Sequence, residues 1–354
     1  PLVKRLQAAY PELPITVTTM TPTGSERVQA LFGDSVFHVY APYDMPDAVG
    51  RFLKRTQPSL AIVMETEVWP NTVAACANRD IPGVLANARL SEKSFRGYQK
   101  FHGLVSPAFG AMHIVAQTAV EAERFAALGA GKCTVSGSIK FDISVEHSLA
   151  GAAAVLSDSW KVDGRPILVA ASTHEGEEAL ILSAMAKAGL IGGEGAKCRL
   201  IIVPRHPERF PVVAKLLDGF TISYERRSET QAFTKDILLA DTMGELMLLL
   251  GVADFAFVGG SLIERGGHNM LEPAAWGLPI MTGESDFNFA EISRLLQEAG
   301  ALVKVAGEEA FADQLALWIE SPDAKNQAGA AARRVVDENK GALEKLLNVI
   351  DQQL

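Results

Sequence analysis

The sequence is poor in the features that mark several large classes of protein. It has only three cysteines, Cys76, Cys133 and Cys198, far apart and odd in number. They make neither a disulfide framework nor a CxxC metal pattern, and they fit a reducing compartment. Positive charge is in the minority: 33 Lys and Arg stand against 42 Asp and Glu, for a net charge of −9. A protein that wraps nucleic acid needs a basic stripe to displace counterions, so this balance argues against such a protein and no nucleic-acid partner is expected. The same balance argues against general electrostatic adhesion to an anionic membrane. No hydrophobic run reads as a membrane span. The most apolar stretch, Leu246 to Ile263, contains Asp254 and the pair Gly259–Gly260, and reads as a helix end, a turn and a buried strand. There is no signal-peptide pattern, no short repeat and no low-complexity tract. Neither GxGxxG nor GxxxxGK[ST] occurs as a nucleotide fingerprint.

What is present is apolar substance in quantity. The 354 residues are 48% hydrophobic and 21% charged, enough for two domains with large cores. Short, nearly continuous apolar runs alternate with helical patterns. In the first half they are 15–19, 36–40, 60–64, 83–88, 113–117 and 133–137, with helices expected near 23–32, 46–57, 70–79, 91–110 and 118–129. In the second half they are 167–171, 199–203, 220–224, 236–240, 255–260, 279–283 and 301–305. Such runs mark parallel strands buried on both faces under crossover helices. The small-residue stretch 146–165, running into Gly164-Arg165-Pro166, is the expected linker, and 322–354 is expected to be one long helix. The expected fold is therefore α/β, with two Rossmann-like domains facing a cleft: residues 1–150, residues 151–330, and a C-terminal helix, 331–354, that could pack back on the first domain.

Ligands in such sheets bind beyond the carboxyl ends of the strands, and the informative residues stand there. Run 60–64 leads into Glu65-Thr66-Glu67-Val68-Trp69-Pro70-Asn71. The plain alternative to a cleft role is that Glu67 favours the next helix N-terminus and Glu65 is a solvated rim residue. Gly137-Ser138-Ile139-Lys140-Phe141-Asp142 places a lysine over the expected cleft, or a solvated hinge lysine. Run 167–171 leads into Ser172-Thr173-His174-Glu175-Gly176-Glu177-Glu178, which combines a capping box with amides free to meet an anion. His174 has no partner spaced for metal binding. Run 199–203 leads into Pro204-Arg205-His206-Pro207-Glu208-Arg209, a rigid cationic pair suited to phosphate or carboxylate, unless Arg205 simply pairs with Glu208. Asp241-Thr242-Met243-Gly244-Glu245 joins a strand to a helix, and Gly244 leaves the first turn open to close approach. The segment Gly259 to Pro273 reads as a strand opening through a glycine-rich phosphate cradle into a helix capped by Asn269. There Glu272 either accepts ribose hydroxyls or completes a capping box.

Taken together, MTPTGSERV (20–28), ETEVWPN (65–71), NARLSEKSFRGY (87–98), GSIKFD (137–142), STHEGEE (172–178), PRHPERF (204–210), DTMGEL (241–246) and GGHNMLEP (266–273) resemble the 3-deoxy-D-manno-octulosonic acid (Kdo) transferases of lipopolysaccharide assembly. The likeness runs nearly end to end. It implies a GT-B glycosyltransferase with an acceptor domain followed by a CMP-sugar domain. The activity it implies is inverting, metal-independent transfer of Kdo from CMP-Kdo to the lipid A precursor, with no cofactor, at the cytoplasmic face of the inner membrane. It implies that Glu65 and Lys140 stabilise the transition state. It implies that Arg205, His206, Met243, Gly244, Glu245, Asn269, Met270, Leu271 and Glu272 contact CMP. Ser172, Thr173, His174, Ser261, Gly266 and Gly267 are candidate further donor contacts. The family carries an N-terminal membrane anchor and a glycine-glutamate motif, whose Glu is the general base, ahead of a helix matching PLVKRL. The chain begins at Pro1, so the resemblance implies that anchor and base are missing from it. Two rival readings are a GT-B enzyme for another nucleotide sugar, such as a UDP donor, and a two-domain protein that closes on a small ligand without chemistry.

Overall fold

The computed structural model describes residues 1–354, which divide into two compact units, Pro1–Asp142 with Asn339–Leu354, and Ile143–Glu338. The first unit runs α1 (Leu2–Ala9), β1 (Thr16–Thr19), α2 (Pro22–Phe32), β2 (Phe37–Tyr40), α3 (Pro46–Thr56), β3 (Ala61–Met64), α4 (Pro70–Ala77), β4 (Gly83–Ala88), α5 (Glu92–Gln99), α6 (His102–Gly110), β5 (Met112–Ala116), α7 (Ala119–Ala127) and β6 (Lys132–Val135). Strands β3-β4-β5-β6 form a four-stranded sheet, β1 and β2 form a separate pair, and every pairing is parallel. The expected single helix over 91–110 is two: α5 ends at Gln99, and Phe101 leaves helical geometry before α6 begins.

The second unit contains α8 (His147–Trp160), β7 (Ile167–Thr173), α9 (Glu177–Lys187), β8 (Arg199–Pro204), α10 (Phe210–Asp218), β9 (Tyr224–Arg226), β10 (Ile237–Leu239), α11 (Leu246–Val252), β11 (Phe255–Val258), α12 (Leu271–Ala275), β12 (Ile280–Thr282), α13 (Ala290–Glu298), β13 (Leu302–Lys304), α14 (Glu308–Glu320) and α15 (Pro322–Glu338). Its strands make one seven-stranded parallel sheet, ordered β13-β12-β11-β7-β8-β10-β9. The chain steps from β7 to β8 on one side and later returns to β11 on the other. The loops after β7 and β11 therefore flank a topological switch point, where such sheets open a crevice at their carboxyl ends.

The continuous apolar runs have the expected cause. Leu168, Ala170, Leu200, Ile202, Leu239 and Phe257 point into one core. Their neighbours Ile167, Val169, Ala171, Ile201, Val203 and Leu238 point into a second core on the opposite face. Both faces are buried, so no polar alternation is left.

Three boundary expectations are corrected. The stretch 146–165 is mostly a helix, α8, whose Ala153 and Trp160 are buried against the second core. Its small residues serve close packing: a Cβ on Gly251 of α11 would stand 2.6 Å from Cβ of Ala153. The run 220–224 pairs only from Tyr224 onward, because Ile222 fills the core from a loop. The tail is not one helix. Gly341, at φ +96, interrupts it, and α16 (Ala342–Asp351) belongs to the first unit. There Leu343, Leu346, Leu347 and Ile350 cover Val84, Ala86 and Val115 together with Leu2. Asp142 anchors the return, accepting the amides of Gly341 at 2.7 Å and Leu343 at 2.6 Å. No helix is long and apolar enough to cross a membrane.

Candidate functional site

In the first unit, Glu65 ends β3 in the left-handed region at φ +58, its amide held by the Ala86 carbonyl at 2.9 Å. A non-glycine residue in that region costs free energy, and such residues cluster at functional loops. The bend turns Glu65 away from the sheet, and its Oε1 lies 3.7 Å from Nζ of Lys140. Lys140 sits in a short 3-10 turn, Ile139–Phe141, capped by Ser138. Asn87, also left-handed at φ +52, accepts the Ile139 amide on Oδ1 at 3.1 Å. Its own carbonyl accepts Nε2 of Gln117 at 3.0 Å. Thus a residue of β4 that the sequence reading left without a role positions the lysine loop. The helix-capping role considered for Glu67 belongs to Asp44, whose carboxylate accepts the amides of Asn71 and Thr72 at 3.0 and 2.7 Å. Glu65 and Lys140 are about half exposed, and exposed pairs contribute at most about 1 kcal/mol to stability. Their meeting is an arrangement of charge at strand ends rather than a source of stability.

In the second unit the loops after β7, β8 and β11 converge. Ser172 is left-handed at φ +57, and the β7–β8 register shifts between Ala171 and Thr173. Thr173 is buried, with Oγ1 donating to Glu178 at 3.0 Å. Glu178 in turn pairs with Arg209 at 2.9 Å. Burial pushes the Glu178 carboxyl up, against the pull of Arg209 and Thr173. Arg205 and His206 are exposed after β8. The structure shows no Arg205–Glu208 pair; His206 is the residue near Glu208, at 4.0 Å.

His174 lies in the crevice. Its Nε2 is 2.8 Å from Nε2 of His268, and the two rings stack 5.0 Å apart, only 11° from parallel. His206 sits edge-on to His174 at 5.7 Å. Burial lowers the affinity of His174 for a proton, and His206, Arg265 and Arg209 add to this against Glu177. His268 is lowered to about 4, by burial and then by His174, Arg205 and His206.

The glycine-rich loop is not the open phosphate cradle expected from sequence. The carboxylate of Glu177, fully buried, accepts the amides of His174, Gly260, Ser261 and Leu262 at 2.9, 2.7, 3.0 and 3.0 Å. An internal carboxylate thus fills the anion position these amides create. The Ser261 hydroxyl donates to the Val258 carbonyl at 2.6 Å and accepts the Gly283 amide at 2.7 Å. Ser261 is 1% exposed, so its hydroxyl braces the loop instead of reaching a ligand. The amide of Gly266 donates to Ser285 Oγ and that of Gly267 to the Gly260 carbonyl. A Cβ on Gly266 would stand 2.5 Å from Asn288 and Phe287, so that glycine serves close packing. At Gly260 the φ of +68 favours glycine, and a Cβ there would stand 3.1 Å from the His268 ring, tighter than ordinary contact.

The helix expected to open at Asn269 is only Leu271–Ala275, capped by Met270 without a side-chain bond. Asn269 Oδ1 accepts the Leu271 amide at 3.2 Å. Met270 and Leu271 are buried. Glu272 is pushed up by burial, with Asn269 and Arg205 pulling the other way. Beyond β10, Arg226 pairs with Asp241 at 2.8 Å and Arg227 with Glu245 at 2.9 Å. Thr242 donates to Glu245 as well. Burial raises the carboxyls of Asp241 and Glu245, but these hydrogen bonds outweigh it and hold both low. Met243 is 63% exposed and Gly244, at φ +83, has open space where a Cβ would stand. Sequence reading missed Glu177 and His268 as site-forming residues. Their signal was present: each stands a few residues beyond a strand run already singled out.

With this geometry in place, the comparisons with known proteins are specific. Residues 1–143 match the family described as 3-Deoxy-D-manno-octulosonic-acid transferase (kdotransferase). The 3-deoxy-D-manno-octulosonic acid transferase of Haemophilus influenzae is 43% identical over 100% of this chain and 83% of its own. The C-terminal CMP-Kdo binding domain of WaaA from Acinetobacter baumannii is 34% identical, covering 54% of this chain and 99% of its own, with a TM-score of 0.51. A glycosyltransferase from Rickettsia africae, 13% identical, superposes over 99% of this chain and 93% of its own with a TM-score of 0.60. At that identity it speaks for the two-domain GT-B fold alone.

Proposed function

This chain belongs to the 3-deoxy-D-manno-octulosonic acid transferase family, and on that premise we propose that it moves Kdo from CMP-Kdo to a lipid acceptor in lipopolysaccharide biosynthesis. We assign the lipid A precursor as the acceptor and the cytoplasmic face of the inner membrane as the place. Phe101 and Leu104, 64% and 66% exposed beside Lys100, support contact with lipid. The observation that carries the catalytic reading is the meeting of Glu65 and Lys140 at 3.7 Å, brought from two strand ends by two separate motifs.

In this mechanism an acceptor hydroxyl attacks the anomeric carbon with inversion. The bond from that carbon to the phosphate oxygen breaks, and CMP leaves with the electron pair. A base takes the hydroxyl proton. Arg205, rather than a metal ion, neutralises the charge that grows on the phosphate, a preorganised electrostatic role. Met243 and Gly244 offer an exposed surface for the nucleotide, while Glu245, tied to Arg227, shapes its floor. Lys140 holds the carboxylate or phosphate of the donor, and Glu65 orients Lys140. Transfer of labelled Kdo to lipid A precursor tests this. Lys140→Ala and Glu65→Ala are each expected to lower turnover by roughly 10²-fold or more, the scale of one lost transition-state contact. Near-normal turnover in both would remove the assigned roles. Competition for binding by CMP but not UDP is the expected nucleotide preference.

A further inference from the structure

A hydrogen bond between two imidazole rings sets a limit on charge. At 2.8 Å between the Nε2 atoms of His174 and His268, one proton lies between them. One ring donates from Nε2 and the other accepts there, its own proton carried on Nδ1. The neutral pair can take one more proton, on Nδ1 of the donating ring, which turns the contact into a charge-assisted hydrogen bond. It cannot take two, because both Nε2 atoms would then carry hydrogen. The pair is therefore a device for holding zero or one positive charge.

Its surroundings disfavour a positive charge on it in the free protein. From the β8 loop Arg205, His206 and Arg209 bear on it, and from the β11 loop Arg265. Glu177 opposes them, but its carboxylate already accepts four backbone amides. Both rings sit partly buried at the switch point, on loops that Glu177 ties together. A cation-rich crevice with an uncharged proton acceptor at its centre lacks one thing, an anion.

We propose that His174 and His268 form a one-charge dyad that grips the donor phosphate and takes up one proton from solvent as the phosphate arrives. This rests on the reading of the second unit as the nucleotide-sugar site. The phosphate offsets the repulsion from the three arginines and His206, so the bound dyad accepts the proton that the free dyad refuses. Donor binding is then linked to proton uptake, and the dyad also favours a donor with an anion at this place over an uncharged one.

Calorimetry of the full chain near pH 7, in two buffers of different ionisation enthalpy, measures protons taken up per ligand. The probe is cytidine 5′-methyl phosphate, a diester with no proton of its own to exchange in this range, with cytidine as the uncharged control. The expected result is proton uptake with the diester and none with cytidine. Affinity for the diester should tighten on acidification, by up to roughly tenfold per pH unit for one coupled proton. His268→Gln and His174→Gln should bind the diester with the uptake lost. Binding of the diester with no uptake in wild type, or with uptake unchanged in both variants, overturns the dyad while leaving the donor-site reading intact. Failure of the diester, CMP and cytidine to bind at all overturns both. The wild-type measurements decide the matter even if a variant fails to fold.

Discussion

The two units handle charge in opposite ways. In the second, the polar groups under the crevice are locked before any ligand arrives. Glu177 accepts four amides, Glu178 holds Arg209, and Asp241 and Glu245 hold Arg226 and Arg227. In the first, Glu65 and Lys140 face each other half exposed at 3.7 Å, and the side chains of Asn87 and Ser138 fix the backbone of the lysine loop rather than the two charged groups. The contrast fits the division of labour proposed above, with recognition in the second unit and chemistry in the first. A binding site gains from donors and acceptors fixed in advance. A pair that must meet developing charge gains from side chains held only at their roots.

The contrast can be broken by substitution, and the largest effect is expected at Glu177. Glu177→Ala strands four amides, two of them buried and two part-buried, and a buried one left unpaired costs about 1–3 kcal/mol. The second unit should lose several kcal/mol in denaturant unfolding, or fail to fold. A loss under about 1 kcal/mol would show that the crevice is not prebuilt. In the first unit the comparable weakness lies in the core rather than the site. Leu346→Ala, at a fully buried position of α16, should cost about 2–5 kcal/mol and expose the sheet face of Val84, Ala86 and Val115.

Smaller effects sharpen the comparison. Arg205→Ala removes a charged partner for phosphate and should weaken CMP binding by about 1.5–3 kcal/mol, readable by titration. Without ligand, stability should fall on acidification. His268 titrates near 4 when folded, against 6.5 for an unperturbed histidine. Between those values the unfolded chain binds the proton and the native one does not, so lowering the pH through that window favours unfolding. His268→Gln should flatten that slope in thermal melts. The smallest change is expected for Glu65→Ala and Lys140→Ala, each shifting stability by under about 1 kcal/mol. A larger loss would make that pair a structural contact and erase the contrast.

Much of this was legible from the residues in order. The strand runs fall where the apolar stretches predict them, because a strand buried on both faces has no room for polar alternation. The motif residues stand at strand ends because βα loops carry function in such sheets. What the chain order hides is partnership across distance. Nothing near Gly260 signals that Glu177 fills its amides, and nothing in 146–165 signals that Ala153 packs against Gly251. A stretch of small residues reads as a linker or as a tight helix contact, and only the opposing surface decides between them.

The sequence alone therefore determined the fold class, the strand content and the family, since these follow from local periodicity and from motifs carried along the chain. Tertiary structure alone decided three things. It broke the tail at Gly341 and turned the return of its last helix, which the residues in order only allowed, into a fixed contact of α16 with Asp142 and the apolar sheet face of the first unit. It turned the glycine-rich loop from an open cradle into a braced wall, because a buried carboxylate reached its amides first. And it brought His174 to His268, because β7 and β11, separated in sequence by β8, β9 and β10, lie side by side in the sheet.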